Sequence, residues 1–347
     1  MQNTTVTNKQ RLVSLDLLRT VAFALIILYH FQVGLLYSGL ACRAWYETPN
    51  LHIATLGVSL FFIMSGFGLM TSSGDNFRAG RFYKKRFLRI LLPFYIVYGG
   101  YFMLKLVLHK LSFPGVPKWR FVFTLLGMDE YLKMLGLPTF SLGIGEWFLG
   151  CLVLMYLLFP LVQTALKRAP LLTMGIATGL FLILSVWDPF SINPWQNFLF
   201  KFYEFILGAC LALTWQKRPK GIWIPSLAVI LLFLFAPSEL PIPISIRITL
   251  LSLCVIFCVM EAEALLKPLE PPLRRAGGYL YEIYLVHHVV IFAGEKLLTK
   301  LLGGAPALWW QILLLLAGEL VIMWIGATVV LFIEKLILRL ANHCYAG

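Results

Sequence analysis

Apolar runs of about twenty residues recur along the whole chain, separated by short polar or basic segments. They predict helices at roughly 14–38, 51–73, 88–111, 147–166, 170–187, 196–215, 221–237, 243–262, 277–298 and 308–338. Runs of this length match a bilayer core of about 30 Å at 1.5 Å per helical residue. The last run is long enough to tilt or to continue along the cytoplasmic surface. The longest connection, about 112–146, carries an apolar stretch from Phe121 to Leu135 interrupted by Asp129, Glu130 and Lys133, which predicts a short interfacial helix. The predicted fold is an all-α polytopic bundle of about ten transmembrane helices. One membrane domain is expected over 1–347, with a short polar tail at 1–12 and no fused extracytoplasmic domain. No small-residue cleavage site follows the first run, so it reads as a retained span.

The first run breaks its own pattern. It carries Arg19 and His30, eleven positions apart. Eleven steps of about 100° end some 20° past three full turns, so both side chains share a face, separated by roughly 16 Å along the axis. Asp16 lies one turn before Arg19 and can pair with its guanidinium. Lipid does not accept such a stripe, so this face is expected to look into a protein-lined cavity.

Composition then narrows the class. With 60% hydrophobic residues, 13% charged residues and a mean hydropathy of +0.83, the chain is no ordinary soluble domain. The net charge of +13 is spread between spans rather than gathered in one patch, which argues against a nucleic-acid partner. With the N-terminus inside, 18 of the 29 Lys and Arg residues fall in cytoplasmic segments and 8 in external ones. That asymmetry predicts both termini on the cytoplasmic side of a plasma (bacterial inner) membrane. The six cysteines show neither a paired motif nor metal-ligand spacing, so neither a structural disulfide nor a metal site is expected.

Several polar residues could carry chemistry. His287 lies about ten residues into the ninth run, at a depth similar to His30, and histidine is suited to general-base work near neutral pH. His288 points about 100° away and reads as structural. The segment from Arg81 to Ile90 enters the third run from the cytoplasm. It can serve simply as a topology anchor. Arg86 and Arg89, one turn apart, also suit a phosphate-bearing cofactor, because guanidinium forks bind phosphate bidentately. Glu204 has Lys201 one turn away for mutual neutralisation, and Glu282 and Glu319 read as structurally paired. Glu146 and Trp147 open the fourth run at the outer surface, where a Trp is either an interfacial anchor or a face for a sugar. No soluble-enzyme signature occurs. A secondary transporter or flippase for a small polar or lipid-linked solute is the alternative these spans allow, and an assembly subunit of a polysaccharide machine is a third.

These residues also resemble a known family, the acyltransferase-3 family of integral membrane acyltransferases. Ser14 through Ala22 with His30 resembles its first-helix Arg-x10-His motif, and Gly57 through Phe67 its second-helix signature. Phe82 to Tyr95 is similar to its third-helix entry, Trp147 through Pro160 to its fourth-helix block, and Ile283 through His287 to its late helix. Ser59 stands where many members have Asp, and Leu152 where one version of the fourth-helix block has Glu. The resemblance implies a glycan O-acyltransferase that binds no permanent cofactor and uses acyl-CoA, acetyl-CoA above all and succinyl-CoA as the other option, as donor. It implies Asp16, Arg19 and His30 as catalytic residues, with His30 as general base or transient acyl carrier. Arg86, Arg89 and Ser65 would bind the donor. Glu146, Trp147, Glu204, Tyr284 and His287 would line the acceptor side. The expected partners are a glycan or lipid-linked sugar, membrane lipids and other polysaccharide-assembly proteins.

Overall fold

The computed structural model describes residues 12–41, 47–74, 77–187 and 192–344, the side chains of 47, 48 and 342–344 excepted. The polar tail before Leu12, Cys42 and Arg43 lie outside the described residues, as do Lys9 and Arg11 of the charge count.

A helix stands at each of the ten predicted positions, with small shifts of its ends. They are α1 (Val13–Tyr37), α2 (Ile53–Ser72) and α3 (Ala79–Val107), the short α4 (Phe121–Leu125) and α5 (Asp129–Met134), then α6 (Glu146–Arg168) and α7 (Pro170–Trp187). There follow α8 (Phe198–Thr214), α9 (Trp223–Phe235), α10 (Ile244–Glu261), the short α11 (Glu263–Leu266) and α12 (Glu270–Gly277), α13 (Leu280–Leu301) and α14 (Trp309–Cys344). The described strands are one antiparallel pair of two residues each, Glu47–Thr48 with Leu51–His52. This is an all-α membrane protein, and among the described residues eight helices are long and apolar enough to cross a bilayer. Of the other two predicted spans, α9 has 13 residues, and α13 has 22 but carries Glu282, Glu295, Lys296 and Lys300.

Helix α2 is the hub. In its most apolar 18-residue stretch 72% is buried, against 17% for α14 and 11% for α7. Glycines let its neighbours approach closely, as membrane helix packing requires in the absence of a hydrophobic drive between spans. A Cβ on Gly57 would come 2.7 Å from the Ala22 carbonyl oxygen of α1. Gly66 and Gly208 notch α2 and α8 into each other, facing the carbonyls of Phe205 and Ile63.

Two differences from expectation bear on the site. The basic segment before the third span is helical from Ala79, so Arg86 and Arg89 lie on α3 itself. The single interfacial helix expected over Phe121 to Leu135 is split into α4 and α5 at Gly127, whose φ is +67°. A left-handed residue stops the helix, and a Cβ there would run into the Leu149 side chain of α6.

The start of α1 is fastened from far along the chain. Its own N-cap residue, Leu12, offers no side-chain cap. The Glu263 carboxylate instead accepts from the backbone N–H groups of Val13 and Ser14, both at 2.8 Å. An anion at a helix N-terminus satisfies orphan donors and opposes the helix dipole.

Candidate active site

Near the starts of α1, α3 and α13 and the end of α2, a chamber of about 400 Å³ opens inside the bundle. Those ends coincide because consecutive antiparallel helices bring their alternate termini to one side. The chamber collects Asp16, Arg19, Ser65, Arg86, Arg89 and Tyr281. Its volume is in the range of small-molecule sites. The Arg19 guanidinium lies 3.6 Å from the Asp16 carboxylate, as the one-turn spacing predicted. It lies against Gly68, where a Cβ would stand 2.7 Å from Nη2, so glycine keeps room for it. The Arg86 guanidinium sits 5.9 Å from the ring centres of both Phe82 and Tyr156. Those rings flank the cation at the edge of the chamber. Leu152 lines this chamber as well.

Farther along α1, His30 meets His287 and His288 of α13. Ring centres lie 5.1 Å apart for His30 and His287, 4.2 Å for His30 and His288, and 4.3 Å between the two α13 rings. His288 therefore does not point away as the angular argument on α13 alone suggested. Adjacent residues on one helix straddle a facing side chain when it points between them, and His30 does so. His287 is fully buried and its Nδ1 contacts the Tyr284 carbonyl.

Four aromatic rings separate chamber from histidines. Phe23 and Phe61 line the chamber and meet at 5.3 Å. Phe23 contacts Tyr284 at 6.0 Å, Phe61 contacts Phe148 at 4.7 Å, and Phe148 contacts Tyr284 at 4.9 Å. Tyr284 in turn lies 5.2 Å from His287. The polar face of α1 is thus interrupted midway by a packed apolar layer.

The residues expected on the acceptor side divide. His287 adjoins His30, and Tyr284 adjoins His287. The Tyr284 hydroxyl donates to the Gly145 carbonyl at 2.6 Å. Gly145 is left-handed at φ +91°, and a Cβ there would sit 2.7 Å from that hydroxyl. Glu146 clasps the loop before α6. Its carboxylate accepts from the Leu142 and Ile144 N–H groups at 3.0 Å each and from the Ser141 hydroxyl at 3.4 Å. That loop is therefore a rigid wall beside His288, reached through Gly145. Trp147, half-buried, packs on Phe148. Glu204 lies in a separate buried knot. Its carboxylate accepts from Ser59 at 2.6 Å, Lys201 at 2.9 Å and Thr249 at 3.1 Å. Ser59 also accepts from Lys201 at 2.9 Å, so the position that differs from many family members is part of this knot. Outside the spans, Asp129 is fully buried, and burial pushes its carboxyl pKa up.

Sequence reasoning passed over Tyr29, His52 and Trp195. The Tyr29 ring lies 5.2 Å from His30 and 4.9 Å from His52, which stacks on Trp195 at 6.1 Å. These rings continue the histidine cluster toward the start of α8. Their sequence signal was only that of interfacial aromatics.

Residues 12–328 match an acyltransferase domain, that of acyltransferase-3. The chain belongs to the acyltransferase-3 family. It is an O-acyltransferase, and members of the family are integral membrane proteins. Among relatives, acyltransferase MdmB of Streptomyces mycarofaciens is 28% identical over 297 residues, which cover 74% of each chain. The peptidoglycan O-acetyltransferase OatA of Listeria monocytogenes serovar 1/2a is 24% identical over 375 residues, covering 93% of this chain and 55% of that protein. No solved structure matches the chain. Within this acyltransferase the polar face of α1 spans both compartments, Arg19 in the chamber and His30 among the histidines.

Proposed function

We propose that this protein moves a short acyl group, acetyl first and succinyl second, from cytoplasmic acyl-CoA to a hydroxyl of a cell-surface glycan or its lipid-linked precursor. The observation that carries the reading is the chamber with Arg19, Arg86 and Arg89 one aromatic layer away from His30. It sits at the end that the excess of Lys and Arg assigns to the cytoplasm, with ten spans and both termini inside. Arg86 and Arg89 take the CoA phosphates as bidentate donors. Arg19, held by Asp16 and beside Ser65, meets the phosphopantetheine arm. The thioester reaches His30 by passing Phe23, Phe61 and Tyr284, which exclude water around it.

His30 then takes the proton of the acceptor hydroxyl as that oxygen attacks the thioester carbonyl. The C–S bond breaks, and the departing CoA thiolate takes that proton back from His30, which returns to its neutral form. Tyr284 and His287 border this step, and Tyr29, His52 and Trp195 offer flat faces for the acceptor ring. A glycan acceptor is supported by the likeness to a peptidoglycan O-acetyltransferase.

Purified protein given labelled acetyl-CoA and a crude glycan extract is expected to label the glycan without any ion gradient. His30→Ala and Arg19→Ala are each expected to abolish labelling while the protein elutes as a folded species. Near-normal turnover by either variant rules out the first-helix assignment. Solute movement without labelling indicates a transporter instead.

A further inference from the structure

The three imidazoles form a donor set that acyl transfer by His30 alone does not use. The Nδ1 of His287 meets the Tyr284 carbonyl, which can only accept, so Nδ1 carries the ring proton. The lone pair of the neutral ring is then on Nε2. That atom is buried without a hydrogen-bond partner, on a side chain with 0% exposure. A histidine tied to a backbone carbonyl through one ring nitrogen is in the arrangement by which metal-ligating histidines are oriented.

His30 and His288 supply the rest. One nitrogen from each of the three rings lies within 4.8 Å of the other two. Ligands of a tetrahedral zinc ion, bonded at 2.0–2.1 Å, stand about 3.3 Å apart, so closure asks each nitrogen to move inward by roughly 0.8 Å. Small ring rotations supply that. Three neutral imidazoles without a carboxylate favour zinc over the hard cations calcium and magnesium. His30 and His288 are each partly exposed, whereas His287 is fully buried.

We propose that His30, His287 and His288 form a zinc site, and that zinc held there inhibits acyl transfer by occupying the lone pair His30 needs as a base. The inhibitory half rests on the reading of His30 given above; the binding half does not.

The test uses the full-length protein in detergent, with any polyhistidine tag removed. After equilibration with Zn2+ and dialysis, elemental analysis is expected to find one zinc per chain. His287→Ala and His288→Ala are each expected to weaken zinc binding about 100-fold or more, since even an outer-shell partner of a ligand is worth 10–100-fold. Titration with Co2+ is expected to give a visible absorption band that His288→Ala loses while its thermal transition is retained. In the labelling assay, Zn2+ is expected to stop transfer and a chelator to restore it. His288→Ala is expected to turn over at zinc concentrations that silence the unaltered protein.

Zinc that is not retained, or is retained equally by both alanine variants, overturns the site. Loss of labelling in His30→Ala would then still stand as evidence for the base. Zinc bound through all three histidines without slowing transfer, or accelerating it, overturns the inhibitory role and with it the free-base reading of His30.

Discussion

The two ends of α1 carry polar side chains on one face and house them in opposite ways. At the first end, Arg19 is 35% exposed within a chamber of about 400 Å³, paired with Asp16 and given room by Gly68. At the other, His30 is packed between two imidazoles and Tyr29, with ring centres 4.2 to 5.2 Å away. On the proposed function, a guanidinium that meets the donor's pantetheine arm needs space and a way in. A base that must take a proton at a reacting centre gains from close, water-poor surroundings. Along one continuous helix, Phe23 and its partner rings divide the open surroundings of Arg19 from the packed surroundings of His30.

That contrast can be broken experimentally, and the largest effect is expected at the histidine end. His30→Ala should lower kcat by about 10²- to 10⁴-fold, the usual range for a lost general base, while acyl-CoA binding measured by calorimetry stays within about 2-fold. Equal losses in binding and turnover would erase the division of labour. At the other end, the double variant Arg86→Ala with Arg89→Ala should raise KM for acyl-CoA by roughly 10- to 100-fold with a smaller change in kcat. Each lost charge-assisted contact to phosphate is worth about 1.5–3 kcal/mol when well formed, less where solvent reaches it. A smaller shift, about 10-fold in KM, is expected for Gly68→Ala, because the new methyl group must push the Arg19 guanidinium from its place. Unchanged kinetics would mean that Arg19 has no fixed position to lose.

The smallest effect is expected away from both ends, at Asp129. Its raised pKa means that the native state holds the proton more tightly than the unfolded chain does. Its contribution to stability is therefore full below about pH 4 and is lost as pH rises through the folded value. Asp129→Asn should raise the melting temperature relative to the unaltered protein at pH 8 and leave it level near pH 4, with transfer activity intact. A difference independent of pH would mean that burial does not hold that carboxyl neutral.

The parts of this architecture set by local periodicity were readable from the residues alone. The ten apolar runs announced ten helices, and the 3.6-residue repeat placed Asp16, Arg19 and His30 on one face before any neighbour was known. What needed a partner from elsewhere in the chain was not readable. His288 joins the cluster because of where α1 lies, and no angle on α13 gives that. Glu146 clasps the Ser141–Gly145 loop because left-handed Gly145 turns the chain back over it. The break between α4 and α5 follows from the left-handed turn at Gly127 against Leu149. The aromatic layer drew on four helices, each of which by itself offered only another phenylalanine or tyrosine in an apolar run.

The Glu263 clamp on the first turn of α1 has a consequence for how the molecule is made. Helix α1 receives its fastening from a residue added 250 positions later. The chamber wall follows the same schedule, since Gly277, Leu280 and Tyr281 arrive later still. A nascent chain therefore holds its arginines and His30 in the membrane until those later segments arrive, with no finished pocket around them. The chamber is closed only when the final third of the chain returns to the first helix.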